Sequence, residues 1–247
     1  EREKNIIVKR YGLSGNQIST LKTVGEEQGL TRERVRQIEK ELLNSLKKNA
    51  KDQEVFVLAR DLIVAMVMEH GGIMSEKRLL ELLHSNSTEQ ENSIKFLLHL
   101  ISELELLDSE EEIKPSWVSA GFNKDLLVKF ITQIKSVFTT HNKPMDTEAF
   151  LDRAKQTDVY NQNKLDLHDK VLVNFLHATE HIHQNPFDEF GLSHWSEVHP
   201  KDVGDKAYLV MRHHKKPEHY SVITELINKH KLDNRTAYKE TVHNKLI

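Results

Sequence analysis

The chain has 247 residues, of which 38% are hydrophobic and 30% charged, a polar composition that favours two to four small domains over one large core. The absence of cysteine excludes disulfides and thiolate zinc sites, and the longest apolar run, at residues 62–68, is too short to span a bilayer. The net charge of −3 excludes a uniformly basic chain that would bind nucleic acid along its whole length.

Charge is distributed unevenly along the chain. Residues 1–50 carry 11 basic and 7 acidic side chains, a net charge of +4, and residues 201–247 also carry a net charge of +4. Residues 51–120 carry a net charge of −8 and residues 121–200 carry −3. A polyanion such as DNA is therefore attracted to the two ends of the chain and repelled by its middle.

The first fifty residues predict three helices. Apolar residues recur there with a helical period, and glycine-containing turns interrupt the pattern. The helices are expected at residues 1–11, from about residue 20, and from about residue 31 to about residue 48. A polar linker is expected at residues 48–53.

The second and third of these helices have the spacing of a helix-turn-helix. The third helix has an apolar stripe formed by Val35, Ile38, Leu42 and Leu46. Leu21 and Val24 supply the facing stripe of the second helix, and Gly25 lets the two helices approach closely. Thr31 is the expected N-cap of the third helix, at the end of the tight link QGLT.

The opposite face of the third helix carries side chains that suit contacts with DNA. A helix-turn-helix offers the first turns of its second helix to base edges, where arginine binds guanine, glutamine binds adenine and glutamate accepts from cytosine. An amphipathic helix with a solvated charged face explains the same spacing, so spacing alone leaves both interpretations open. The candidate DNA-binding residues are Thr20, Thr31, Arg32, Glu33, Arg34, Arg36, Gln37 and Lys40.

Residues 1–48, which end in the motif TRERVRQIEKELLNSLKK, resemble region 4 of the sigma-70 family of bacterial RNA polymerase factors. The resemblance implies that this segment reads the minus-35 element of double-stranded promoter DNA and docks on the flap of the polymerase β subunit. It also implies a cytoplasmic, nucleoid-associated bacterial protein.

Carried over residue by residue, the resemblance assigns base reading to Arg32, Glu33 and Gln37. It assigns phosphate or groove contacts to Arg34 and Arg36, and a backbone contact to Thr20. The end of the third helix departs from the family, which is often richer in arginine where this chain has Asn44 and Ser45. That departure weakens any role of the helix end in binding activators or further phosphates.

Three later segments share a plan of helix, short polar turn, helix, loop and helix. In the first two, a stretch that contains tryptophan follows and is expected to form a wing, which is the plan of a winged helix. Ser75 and Asp146 are expected N-caps, and Thr88 with Glu91 suggests a capping box. Three unrelated helical hairpins in one bundle remain the alternative.

The predicted fold is therefore mainly α, with an N-terminal helix-turn-helix followed by an array of winged-helix modules. The expected domains are a helix-turn-helix at 1–50, winged-helix-like modules at 54–120 and 122–200, and a partial winged helix at 201–247.

The last segment carries a second resemblance, to the winged-helix domain shared by the delta subunit of RNA polymerase and several chromatin and restriction proteins, known as the HARE-type domain. The residues that carry it are Lys216, Pro217, His219 and 241–247. In that family the domain is thought to contact nucleic acid or transcription proteins. Its wing would follow Ile247, so this domain is expected to be partial.

Nothing in the sequence favours an enzyme or a metal site. His177, His181 and His183 form the best histidine cluster, but Ala178 stands where a zinc protease needs glutamate, and no third ligand is evident. The acidic stretch at 107–114 reads as a solvated loop, and phosphate-loop, dinucleotide and nucleophile-elbow motifs are absent. No catalytic residue, cofactor, metal or membrane partner is predicted.

The sequence thus predicts a non-catalytic DNA-binding transcription protein whose acidic middle modules bind protein. Two alternatives stay open. One is a sequence-specific regulator that does not associate with polymerase, and the other is a protein-interaction scaffold in which the helix-turn-helix no longer reads DNA.

Overall fold

The computed structural model of the chain describes residues 1–109, 111–233 and 235–247. It is 59% helical, with 13 α-helices and small antiparallel sheets in the described residues, which confirms the predicted mainly α fold with winged-helix-like elements. The chain forms two compact units. The first comprises Glu1–Ser109 and Pro115–Phe122, and the second comprises Asn123–Ile247 with a short segment that ends at Lys114.

Three helices open the first unit, close to their predicted positions. They are α1 (Arg2–Tyr11), α2 (Leu21–Gln28) and α3 (Arg32–Ala50). Gly12 and Gly29 end the first two helices in the left-handed region, with φ of 62° and 63°, which glycine adopts without steric cost. Because α3 continues to Ala50, the expected polar linker is reduced to residues 51–53.

The core of this helix-turn-helix is small. Ile6, Val24 and Val35 are each 0% exposed, so every one of the three helices contributes a fully buried side chain. Leu21, Leu30 and Ile38 pack around them and stay partly exposed. Leu42 and Leu46, which continue the predicted stripe, are half-buried.

The next module has the element order helix, strand, helix, helix, strand, strand, which is the order of a winged helix. Its elements are α4 (Glu54–Glu69), β1 (Ile73–Ser75), α5 (Glu76–Leu82), α6 (Thr88–Leu100), β2 (Leu104–Leu107) and β3 (Ser116–Ser119). The strands form one antiparallel sheet in the order β1-β3-β2, in which Trp117 is opposite both Met74 and Leu106. The predicted wing tryptophan therefore lies on a central strand.

The core of this module is larger than that of the helix-turn-helix. Its buried apolar residues are Ile63, Val67, Met74, Leu79, Leu98, Ile101, Leu104 and Trp117. Ser75 caps α5 as expected, with its hydroxyl accepting a hydrogen bond from the Arg78 amide. The N-cap of α6 is Ser87 and not Thr88, because Ser87 has an extended backbone and its hydroxyl accepts from the Gln90 amide.

Both α1 and α3 pack against α6, so the helix-turn-helix and the module belong to one compact unit. The Tyr11 ring lies 4.9 Å from the Phe96 ring and 5.4 Å from the His99 ring. The buried Asn92 side chain donates a hydrogen bond of 3.1 Å to the carbonyl of Gly12.

The second unit begins with another winged-helix-like module. Its elements are α7 (Lys124–His141), α8 (Thr147–Ala154), α9 (Asp158–Gln162), α10 (Asp169–Ala178), β4 (Ile182–Gln184) and β5 (Phe190–Leu192). β4 and β5 pair antiparallel, and an isolated bridge from Met145 to Phe190 occupies the place of a third strand. Asp146 caps α8, as expected.

Three helices end the second unit and form a tri-helical cluster. They are α11 (Val203–His214), α12 (Tyr220–His230) and α13 (Lys239–Leu246). Arg212 and His213 both contact Glu189, at 2.7 and 3.1 Å, so α11 packs beside the β4–β5 hairpin. The four predicted domains and their boundaries stay predictions.

None of the helices in the described residues combines the length and the apolar character needed to cross a bilayer.

Candidate nucleic-acid interface

The turn between α2 and α3 depends on Gly25. A Cβ at this position would lie 2.7 Å from the carbonyl oxygen of Leu30, a contact that real side chains do not make. The Leu30 amide donates a hydrogen bond of 2.8 Å to the Gly25 carbonyl, and Gly29 ends α2 in the left-handed region. These contacts fix the angle at which α3 leaves α2.

Two of the predicted contact residues cap the helices. The Thr20 hydroxyl accepts a hydrogen bond of 3.1 Å from the Thr23 amide, and the Thr31 hydroxyl accepts one of 3.2 Å from the Arg34 amide. Capping satisfies backbone donors that a helix start leaves without an intrahelical partner. A hydroxyl that accepts keeps its own proton to donate, so capping leaves Thr31 able to bind a phosphate oxygen. The Thr20 hydroxyl also lies 2.9 Å from the Thr23 hydroxyl, in a hydrogen bond that either hydroxyl can donate.

The predicted contact residues are all exposed to solvent, and we call them together the reading face. Val35 of the same helix is 0% exposed and turns toward α1 and α2, so the face opposite it is left to solvent. The exposed residues of the reading face are Thr20, Thr31, Arg32, Glu33, Arg34, Arg36, Gln37 and Lys40.

Glu33 and Arg36 bind each other on the reading face. Arg36 donates from Nε at 2.9 Å and from Nη2 at 2.6 Å to the two carboxylate oxygens of Glu33. This pairing lowers the pKa of Glu33 and raises that of Arg36. Because a guanidinium has five N–H groups, Arg36 keeps donors for a phosphate while Glu33 orients it. Each carboxylate oxygen of Glu33 keeps a second lone pair, so Glu33 can also accept from a base while it holds Arg36.

A second pair on the same face joins Arg34 and Gln37. Arg34 Nη1 donates to Gln37 Oε1 at 3.2 Å. Bidentate binding of adenine uses both the oxygen and the nitrogen of the glutamine amide, and the oxygen of Gln37 keeps a second lone pair for it beside the bond from Arg34. The i, i+3 spacing of both pairs is the sequence signal from which they could have been predicted.

Residues of α1 that the sequence did not single out hold the helix-turn-helix in place. Arg2 donates to the carbonyl of Gln28 at the end of α2, and Lys9 pairs with Glu27 at 2.6 Å. Arg10 donates to the Ser19 carbonyl at 2.5 Å and also contacts Glu39 of α3. Helical spacing relates residues within one helix, so it gives no signal for these contacts between helices.

Comparison with known proteins bears on this segment. Residues 1–48 match the family model described as Sigma-70, region 4. The RNA polymerase principal sigma factor HrdD of Streptomyces viridifaciens is 54% identical over 52 residues, which are 21% of this chain and 16% of that protein. HrdD of Streptomyces coelicolor is 55% identical over 51 residues, 21% of this chain and 15% of that protein.

The RNA polymerase sigma factor RpoS of Coxiella burnetii is 47% identical over 47 residues, 19% of this chain and 13% of that protein. The chain thus spans about a sixth of the length of these curated relatives. No solved structure matches it. The resemblance of residues 201–247 to the delta-subunit domain is not confirmed by these comparisons and stays a prediction. For residues 1–48, the predicted resemblance to sigma-70 region 4 is confirmed by the family model and by these relatives.

Proposed function

We propose that this chain is a sigma-factor-like, DNA-binding transcription protein that reads a promoter element of the minus-35 type through α3 and contacts RNA polymerase. The observation that carries the proposal is the reading face, on which a region 4 segment exposes every predicted contact residue while its apolar side is buried. The relatives that match this segment are named as RNA polymerase sigma factors, which supports the same role.

The proposed mechanism is non-catalytic. The basic side chains of α3 displace counterions from phosphates, so affinity falls steeply with salt. Arg32 and Gln37 contact base edges in the major groove, each contributing about 1–3 kcal/mol of discrimination. Arg36, held by Glu33, donates its remaining N–H groups to phosphate, and Lys40 adds a charge one turn further along the helix.

Contact with the flap of the polymerase β subunit is the second part of the proposal. It rests on the region 4 resemblance, because the relatives' names speak of the polymerase as a whole. It places the chain in the bacterial cytoplasm, on the nucleoid.

Selection of DNA by the full chain from a randomised duplex pool tests the first part, followed by anisotropy measurements on the selected duplex. Arg32→Ala and Gln37→Ala should each lower the affinity for the selected duplex by about 5- to 150-fold while barely changing the affinity for a scrambled duplex. Lys40→Ala should weaken both duplexes similarly and reduce the salt slope by about 1.

Lys129→Ala, an exposed lysine of α7, is the matched control and should change neither affinity. If no sequence is enriched, or if Arg32→Ala and Gln37→Ala bind as the unmodified chain does, the scaffold alternative is favoured. Selective DNA binding without capture by the isolated polymerase flap favours the regulator alternative.

A further inference from the structure

Helix α4 exposes an apolar stripe along its whole length. Four of its side chains are more than half exposed: Val55 at 82%, Leu58 at 65%, Leu62 at 61% and Met68 at 54%. Ala65 is also exposed, so successive members of the stripe are three, four, three and three residues apart. This spacing places them on one side of the helix, opposite Ile63 and Val67, which are buried in the core.

The matched helix of the second module shows that the fold does not require such a stripe. α7 opens that module as α4 opens the first, and it buries Leu127, Phe130 and Ile134 on one side. The exposed positions of α7 are polar or charged, namely Lys124, Asp125, Lys129, Thr132, Ser136, Thr139 and Thr140. The apolar stripe is therefore a property of α4 itself, and contiguous exposed apolar surface marks an interaction site.

The charges beside the stripe identify the partner that it fits. The charged residues exposed on α4 are Glu54, Asp61 and Glu69, all of them acidic. Glu54 and Asp61 are seven residues apart and lie along one edge of the stripe, whereas Glu69, seven residues after Leu62, lies in line with the stripe at its C-terminal end. Arg60, the cation of this helix, is bound to Asp61 at 2.7 Å and lies 3.8 Å from Glu103. The surface thus combines an apolar seam with an acidic edge.

We propose that this face of α4 docks an amphipathic helix of a partner protein whose apolar seam is flanked by lysine or arginine. An apolar seam with a 3-4 spacing is the geometry by which one helix packs along another, and charges beside the seam select the partner. A second copy of this chain fits poorly, because its own α4 brings further carboxylates to the edge and its Arg60 is already engaged. The acidic edge also disfavours an anionic membrane surface. This inference does not rest on the proposed reading of DNA.

Two synthetic helical peptides test the proposal against the full chain. They share a leucine seam with 3-4 spacing and differ only in their flanking positions, which are lysine in one and glutamate in the other. Titration calorimetry should show the lysine peptide binding at least about tenfold more tightly than the glutamate peptide, with an advantage that shrinks as salt is raised.

Variants of the stripe and of its edge locate the binding. Leu58→Gln and Leu62→Gln should each weaken the lysine peptide by about tenfold or more, because they remove apolar contact at the centre of the seam. Glu54→Gln should reduce the preference for the lysine peptide while leaving the glutamate peptide unchanged or slightly tighter. Thr132→Ala on α7 is the matched control and should alter nothing.

Because the substituted leucines are exposed, the variants should keep the circular dichroism spectrum and melting temperature of the unmodified chain. Equal affinity for the two peptides, or binding that survives in folded Leu58→Gln and Leu62→Gln chains, would overturn the proposal. So would sedimentation showing a dimer of the unmodified chain that Leu62→Gln dissociates, since the face would then belong to a second copy.

Discussion

The helix-turn-helix clusters around Ile6, Val24 and Val35, whereas the module that follows it builds its core from eight buried apolar residues, among them Trp117. Burial of apolar surface is the main favourable contribution to folding, so a small cluster gives the first region little stability of its own. The rest of the first unit contributes further stability, because α1 and α3 pack against α6. The difference indicates that the helix-turn-helix depends on the neighbouring module for part of its stability.

Aromatic rings join the two regions. Tyr11 of α1 packs on His99 of α6 with ring centres 5.4 Å apart, and His99 packs on Trp117 at 5.0 Å. Trp117 is 1% exposed and belongs to the core of the module. His99 therefore connects Tyr11 of the helix-turn-helix directly to that core. A substitution in the module core is therefore expected to destabilise the helix-turn-helix as well.

The largest effect is expected from removing the centre of the module core. Trp117→Ala should lower the free energy of unfolding of the first unit by about 3–5 kcal/mol, because it leaves a large cavity. Hydrogen exchange followed by mass spectrometry should show faster exchange across α4 to β3 and also across α1 to α3. If α1–α3 keep their protection, the helix-turn-helix is stable without the module, and the inference that its stability depends on the module is wrong.

A smaller effect is expected at the hydrogen bond between the regions. Asn92→Ala removes the donor to the Gly12 carbonyl, and Gly12 is itself buried, so the change should cost about 1–3 kcal/mol of unfolding free energy. Urea denaturation measures it. Ser93→Ala, the exposed neighbour on α6, is the matched control and should change stability little. Equal losses in the two variants would contradict the role of Asn92.

A change confined to the helix-turn-helix should lower the free energy of unfolding by less still. Thr31→Ala removes the cap of α3 and should lower the free energy of unfolding by about 1 kcal/mol, with faster exchange in the first turn of α3 only. Thr31→Ser keeps a capping hydroxyl and should restore stability. If serine restores stability and not affinity for the selected duplex, the methyl group of Thr31 contacts DNA in addition to the capping role.

The smallest effect concerns the pH dependence of the free energy of unfolding, through His99 at the contact between the two regions. Burial, with a further contribution from Lys47, lowers the pKa of His99 below its ordinary value of 6.5, although Glu76 and Glu39 oppose the shift. As pH falls below that ordinary value, the unfolded chain gains a proton at His99 that the folded chain does not yet bind, so stability falls. His99→Phe should therefore lose less stability between about pH 7.5 and about pH 5.5 than the unmodified chain.

His168→Gln, which removes an exposed histidine at the start of α10, is the matched control for the loss of an imidazole. Urea denaturation at the two pH values makes the comparison. A His99→Phe chain with the same pH dependence as the unmodified chain would show that His99 protonation does not oppose folding.

Much of the fold and of the reading face was predictable from local patterns. The positions of α1, α2 and α3, the cap at Thr31 and the close approach at Gly25 follow from the spacing of apolar residues, hydroxyls and glycines within a few turns of helix. The exposure of Arg32, Glu33, Arg34, Arg36, Gln37 and Lys40 follows from the same spacing once Val35 is assigned to the core. Their contacts with DNA stay predictions.

The N-cap of α6 was assigned one residue late, because Ser87 and Thr88 are both good capping residues and only the backbone conformation distinguishes them. The polar stretch at 48–53 was predicted to separate two domains. Its composition could not reveal that α1 and α3 continue their packing onto α6, since residues about 80 positions apart leave no local pattern when they meet.

By itself the sequence determined the positions of α1, α2 and α3, which side of α3 is apolar, and the match of residues 1–48 to sigma-70 region 4, because all three depend on the order of neighbouring residues. Only the tertiary structure decided which apolar faces are covered. All the residues at 62–68 are apolar, so the sequence shows no polar face in this part of the helix. Periodicity therefore cannot tell which of its faces another element covers. The neighbours of α4 cover Ile63 and Val67 and leave Leu58 and Leu62 exposed, since burial depends on packing in three dimensions.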